Sequence, residues 1–145
     1  MPTTSQWFAQ SGGNLIARLW VPQTMHVALM RPTFTPNIDT QLRYSDISAQ
    51  ELAAAGGYVA GGKVIPNRSI SYDALANEYN LIGDDVVWGP GATFSVRYGI
   101  IYEQSTADKF LWGLLDFGQQ FDVNNGYFAV DFAAACLGIA AGPPV

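Results

Sequence analysis

The sequence predicts a mainly β fold, an antiparallel β-sandwich or barrel with one or two short helices. Three observations point there. Apolar residues recur at every second position in several short segments, turn-forming residues separate those segments, and helical spacing is confined to two places. About eight such segments along one chain suit a sandwich or barrel better than a helical or parallel α/β architecture.

The elements follow in order. Residues 1–13 end in Ser11-Gly12-Gly13 and read as an N-terminal arm, with Trp7 and Phe8 as its only large apolar groups. Asn14 then precedes Leu15, Ile16, Leu19 and Trp20, a spacing that suits a short amphipathic helix stopped near Pro22. Met25 to Met30 alternates, with Val27 and Leu29 on one face and His26 and Ala28 on the other, and is the first predicted strand. Thr33-Phe34-Thr35-Pro36-Asn37 reads as an exposed loop.

Ser48-Ala49-Gln50-Glu51 has the form of a capping box, with Ile47 and Leu52 placed as its hydrophobic staple. A two-turn helix is therefore expected through Ala53-Ala54-Ala55, ended by Gly56-Gly57. Beyond it the pattern is β. Tyr58-Val59-Ala60 and Lys63-Val64-Ile65 flank a Gly61-Gly62 turn or bulge, and Arg68 to Asp73 and Glu78 to Ile82 each put apolar residues on one face. From Thr93 to Glu103 the alternation is complete: Phe94, Val96, Tyr98, Ile100 and Tyr102 face one way, Thr93, Ser95 and Arg97 the other.

Phe110 to Phe117 is apolar on both faces apart from Gly113 and Asp116, which predicts a central strand covered on both sides. Asn125-Gly126, between Phe121-Val123 and Phe128-Val130, predicts a type I′ hairpin. The segment Gly138 to Val145 is rich in Ala, Gly and Pro and is expected as a flexible C-terminal tail. The resulting organisation is an arm at 1–13, a single β-rich domain at 14–137 and a tail at 138–145. At 145 residues one domain is the default.

Composition narrows the function. Charged residues make up 13% of the chain, about half the roughly 25% usual in soluble domains, so much of the surface is neutral. With 49% hydrophobic residues the chain is not disordered. No apolar run approaches the roughly 20 residues that span a bilayer, and Met1 to Gln6 lacks the basic start of a signal peptide. A net charge of −5 with seven scattered Lys and Arg leaves no basic stripe for nucleic acid. Neither nucleic acid nor membrane is expected as a partner.

Residues that could carry chemistry were weighed one by one. His26 is the only histidine, in a strand with no nucleophile motif beside it, and reads as structural. Cys136 is the only cysteine, in an apolar run, and reads as a buried inert thiol that excludes an internal disulfide. Gly57 to Lys63 matches G-x-x-x-x-G-K, but Val64 stands where a P-loop needs Ser or Thr. Asp84-Asp85 reads as turn chemistry and lacks a calcium-loop spacing. Asp116, in an apolar run, must find a donor or lie at a sheet edge. Trp88, Trp112, Tyr98 and Tyr102 read as core rather than as a sugar-stacking platform. No catalytic, cofactor-binding or metal-ligating set emerges, and no cofactor is expected. Trp7, Phe8 and Phe34, with Pro36 and Asn37 in the same loop as Phe34, are the candidate partner contacts.

Several stretches, in this order, carry a resemblance. They are Met25 to Thr40 with its Arg31-Pro32-Thr33-Phe34-Thr35-Pro36-Asn37-Ile38-Asp39 core, Tyr44 to Ser48, Gly57 to Lys63, Asp85 to Trp88, Ala92 to Tyr102, Leu115 to Gly118 and Asn125 to Phe128. Together the chain resembles a family of small structural proteins of tailed bacteriophages, over residues 14–140; Gln6 to Gly13 departs from the charged, helical start of that family. The resemblance implies a virion component, a head decoration or cement protein that binds the major capsid protein on the capsid exterior and stabilises the shell. It is made in the bacterial host cytoplasm and is not an enzyme. It also implies a homo-oligomer, with a trimer favoured. The alternatives are a neck or tail component, or a glycan-binding sandwich for host attachment.

Overall fold

The computed structural model describes residues 11–132 and 135–140. The chain is mainly β, with two separate antiparallel sheets and two short α-helices, and neither sheet closes into a barrel. Within the span expected as one domain the chain forms two compact units. One comprises Met1–Pro22, Asn67–Asp84 and Phe132–Val145, the other Gln23–Pro66 and Asp85–Asp131. Both are discontinuous in sequence, which is why no shift in composition marks their borders.

The first unit holds α1 (Ser11–Trp20) and a three-stranded sheet of β3 (Ser69–Asp73), β4 (Glu78–Ile82) and β7 (Leu137–Ala140), in the order β3-β4-β7. α1 begins at Ser11, so residues 11–13 of the expected arm are helical and Asn14 lies inside the helix instead of capping it. Its last turn is held by Trp20, whose indole N–H donates to the Ile82 carbonyl at 3.2 Å, and by Arg68, which donates to the Trp20 carbonyl at 2.9 Å. The C-terminal end of a helix needs a donor such as Arg68 because its last carbonyls lack intrahelical donors. β3 and β4 lie where the alternation puts them, within one residue. Of the expected tail at 138–145, Gly138 to Ala140 are instead part of a strand, paired with Asn80 to Glu78 on a free edge of β4, and residues 141–145 lie outside the described residues.

The second unit is built on β1 (Met25–Met30), β2 (Lys63–Val64), β5 (Val86–Glu103) and β6 (Leu111–Val130), in the order β2-β1-β5-β6. β1 is an inner strand, and Met25 and Val27 to Met30 are completely buried on both of its faces. Phe110 to Phe117 is the contrary case. It opens β6, which lies at the sheet edge with its side chains only partly buried, so the central strand expected there is β1 instead. The edge position resolves Asp116: its carboxylate accepts the Gly118 N–H at 2.9 Å and faces the Arg97 guanidinium at 3.7 Å.

The Asn125-Gly126 hairpin does not form. β6 runs straight through it, paired with β5 on both sides: Val123 opposes Phe94 and Gly126 opposes Ala92. Asn124 and Asn125 therefore oppose Thr93 alone, a β-bulge with Asn125 in the left-handed region at φ 48°. The Asn125 N–H donates to the Thr93 hydroxyl at 3.0 Å. The positive φ that local chemistry favours at this dipeptide is adopted by Asn125 but not by Gly126, and the long partner strand makes the site a bulge.

The predicted capping-box helix is also replaced. The helical turn α2 (Tyr44–Ile47) comes earlier, followed by a 3-10 turn at Ser48–Gln50, and Glu51 is already extended. The cap belongs to Asp46, whose carboxylate accepts the Leu42 and Arg43 N–H groups at 2.9 Å each; these bonds, Arg43's first, hold its pKa below the usual value. Ile47 is buried as a staple residue would be. Glu51 is drawn elsewhere, as described below.

The bulge gives the first testable prediction. Asn125→Val, which cannot hold a left-handed conformation cheaply, lowers the unfolding free energy by about 1–2 kcal/mol, while Asn125→Gly stays within roughly 0.5 kcal/mol of the parent. Urea unfolding followed by circular dichroism measures both.

Candidate functional site

The densest cluster of ionisable groups surrounds Glu51, a carboxylate only 5% exposed. Tyr44 donates its hydroxyl to Oε2, while Tyr58 donates its hydroxyl and Gly61 its backbone N–H to Oε1, at 2.5 and 2.7 Å. The surroundings extend the network. The Tyr58 hydroxyl accepts the Leu29 N–H at 3.0 Å, and the Gly61 carbonyl accepts from the Tyr102 hydroxyl at 2.6 Å and from His26 Nδ1 at 3.0 Å. Burial pushes the Tyr44, Tyr58 and Tyr102 phenols well above their ordinary 10.0, and the neighbouring Glu51 carboxylate adds to the shift in each.

Three donors hold the Glu51 carboxylate in place as an acceptor. His26 likewise spends Nδ1 on the Gly61 carbonyl and sets its ring edge-on to Tyr102. The cluster therefore works as a structural hub. Glu103 is a second buried carboxylate of the same kind, accepting the Trp112 indole N–H at 2.8 Å and the Thr106 hydroxyl at 2.9 Å.

The remaining chemical candidates resolve as structure. Gly57 to Lys63 forms turns that end in β2, not the loop-to-helix of a phosphate site. Gly62 sits at φ +76°, where an added Cβ would lie 1.8 Å from the Val27 carbonyl oxygen. The Lys63 ammonium donates to the Val87 carbonyl at 2.7 Å and lies over the Trp88 ring. Asp84 accepts from the Asn67 amide, and Cys136 is buried. Among the described residues no group of three or more His, Cys, Asp and Glu is placed to hold a metal ion. Trp88 and Tyr102 are core residues, whereas Tyr98 and Trp112 are only partly buried.

The loop at 32–43 borders a surface pocket. Asn37 organises it: its side-chain oxygen accepts the Asp39 and Thr40 N–H groups at 3.1 and 3.3 Å, and its own N–H donates to the Gln41 side chain at 2.8 Å. Both ends are anchored. The Thr35 N–H reaches the Gln50 side chain at 3.2 Å, and the Leu42 carbonyl accepts the Leu111 N–H at 2.9 Å. Between this loop and the β5–β6 pair lies a pocket of about 110 Å³, lined by the loop residues Pro36 to Ile38 and Gln41 together with Ile100 and residues 111–114. No charged side chain lines it. Ile38 beside it is 79% exposed and Leu42 about half exposed.

Of the five sequence candidates, Pro36 and Asn37 do line this pocket. Phe34 is corrected: it is only 3% exposed and packs edge-on against Tyr98 in a cluster with Ala28, Met30, Ile47 and Ile100. A loop tied to the sheet by backbone bonds can bury its own aromatic, so loop position did not imply exposure. Trp7 and Phe8 lie outside the described residues. Ile38 and Leu42 were missed, although an isoleucine and a leucine in an otherwise polar loop were a usable signal. No family model, curated protein or solved structure matches the chain.

The hub gives the second prediction. Glu51→Ala leaves three donors without their acceptor and lowers stability at neutral pH by about 3 kcal/mol or more. The three buried phenols add a pH signature. Because the folded chain holds their protons above the ordinary value, the unfolded chain ionises first; their contribution is fully present below about pH 10 and is lost as the pH rises beyond it. Urea midpoints from pH 7 to 11 show a plateau followed by a decline.

Proposed function

We propose that this chain is a structural, non-catalytic component of a tailed-bacteriophage particle, a decoration protein bound to the exterior of the head beside the major capsid protein. The observation that carries the reading is the uncharged pocket at the 32–43 loop with Ile38 and Leu42 exposed beside it. Exposed apolar side chains on a loop that borders an uncharged pocket suit a protein neighbour. The low charge content works in the same direction, since a cement protein buries neutral surface against its lattice. The placement on a phage head comes from the ordered sequence resemblance.

Two features of the pocket favour a protein contact over a reaction. No titratable side chain lines it, so it offers no general acid or base. The Trp112 indole N–H is committed to Glu103 and the Asn37 side-chain oxygen to its own loop, so few polar groups remain to orient a small polar substrate.

Purified particles of the encoding phage supply the third prediction. Gel densitometry and cryo-electron microscopy find this chain at hundreds of copies per particle on the head exterior. A dozen or fewer copies, or density at the neck or tail, would overturn the decoration reading.

A further inference from the structure

We infer that Asn125-Gly126 is a self-modification site, at which Asn125 loses its side-chain nitrogen as ammonia, and that the β5–β6 bulge holds this site closed in the folded chain. It is the only Asn-Gly step in the sequence. Glycine in the second place leaves the attacking backbone nitrogen unhindered by a Cβ. Asn125 is exposed, and its carboxamide makes no hydrogen bond among the described residues, so neither the carbonyl carbon nor the leaving group is tied to a neighbour.

The chemistry needs only water. The Gly126 amide nitrogen gives up its proton to water and attacks Cγ of Asn125. An N–Cγ bond forms, the Cγ–Nδ2 bond breaks, and ammonia leaves with a proton from solvent. The cyclic imide that remains takes up one water at either carbonyl carbon, and one ring C–N bond breaks. The product is an aspartate or, where the chain now runs through the side chain, an isoaspartate. No group is oxidised or reduced.

Ring closure requires the Gly126 nitrogen to stand on the same side of the Cα–C bond as Cβ of Asn125. The bulge prevents this. At φ 48° a residue with a side chain is confined to ψ of roughly +30 to +60°, which turns that nitrogen away from Cβ. The conformation is held from across the sheet. The Asn125 N–H donates to the Thr93 hydroxyl at 3.0 Å, and on the two sides of the bulge Val123 is paired with Phe94 and Gly126 with Ala92.

The rate of conversion therefore follows the fraction of time that this stretch of β6 spends open. The change is also one-way. It adds a carboxylate to a strand that already carries Asp116 and Asp122, and an isoaspartate lengthens the backbone inside the bulge.

The inference is read on the purified chain and is independent of any phage particle. Peptide mapping by mass spectrometry follows the gain in mass as carboxamide becomes carboxylate at Asn125. At neutral pH, conversion is at least about tenfold slower in the folded chain than in guanidinium chloride. Thr93→Val keeps the shape and removes the hydroxyl acceptor; it speeds conversion of the folded chain roughly fivefold, the worth of one hydrogen bond, and leaves the unfolded rate unchanged. Tyr72→Phe, which removes one hydroxyl hydrogen bond in the other compact unit, changes neither rate. Gly126→Ala slows conversion of the unfolded chain, which identifies the attacking nitrogen. Equal rates in the folded and unfolded chain, a folded rate indifferent to Thr93→Val or raised as much by Tyr72→Phe, or an unfolded rate indifferent to Gly126→Ala would each overturn the inference.

Discussion

A buried carboxylate must be satisfied by donors, and the second unit is organised around that requirement at Glu51. Its three donors come from α2 through Tyr44 and from the segment after the 3-10 turn through Tyr58 and Gly61. The same groups reach further. Tyr58 accepts from the backbone of β1 at Leu29, and the Gly61 carbonyl collects the Tyr102 hydroxyl of β5 and the His26 ring of β1. One anion thus positions a helical turn, two inner strands and a long irregular segment relative to each other. The 32–43 loop runs between β1 and α2, so the pocket inherits its geometry from this hub.

The long β5–β6 pair answers a different problem. A 20-residue edge strand is a template for unwanted pairing unless it is interrupted. Residues 117–120 oppose only Arg97, residues 124 and 125 oppose only Thr93, and Trp112 is an extra residue between the partners of Ile101 and Tyr102, so β6 is broken by bulges at three places along its edge. Asp116 and Asp122 add negative charge on the same strand, and Asp122 is held ionised by hydrogen bonds from Ser95 and Gln120. These devices discourage backbone pairing at that edge.

The same bond requirements explain which local signals were reliable. Alternation at Glu78 to Ile82 located a strand closely, because side chains of a strand point to opposite faces in turn; Met25 to Met30 is also a strand although both of its faces are buried, and Thr93 to Glu103 is the second part of the longer β5. Signals that depend on a short stretch acting alone were overridden. Ser48 and Glu51 had the spacing of a capping box, but an isolated two-turn helix is weak, and Tyr44 and Tyr58, each seven residues away along the chain, offered Glu51 other donors. Asn125-Gly126 was chemically suited to a hairpin, but the 18 residues of β5 held the chain extended on both sides. The apolar run at Phe110 to Phe117 suggested a covered strand, while its place at the sheet edge followed from which strands paired.

The candidate site divides along the same line. Composition established a charge-poor chain, alternation and turn spacing a mainly β one, and the loop at Pro36 and Asn37 could be picked out from its turn residues. That Phe34 points into the core while Ile38 stays out, and that the loop closes over Ile100 and Leu114, were decided only by tertiary structure. Burial is a property of neighbours brought from far along the chain. Residue type and spacing state what a side chain prefers, and only the long-range pairing of β1, β5 and β6 determines which preferences are met.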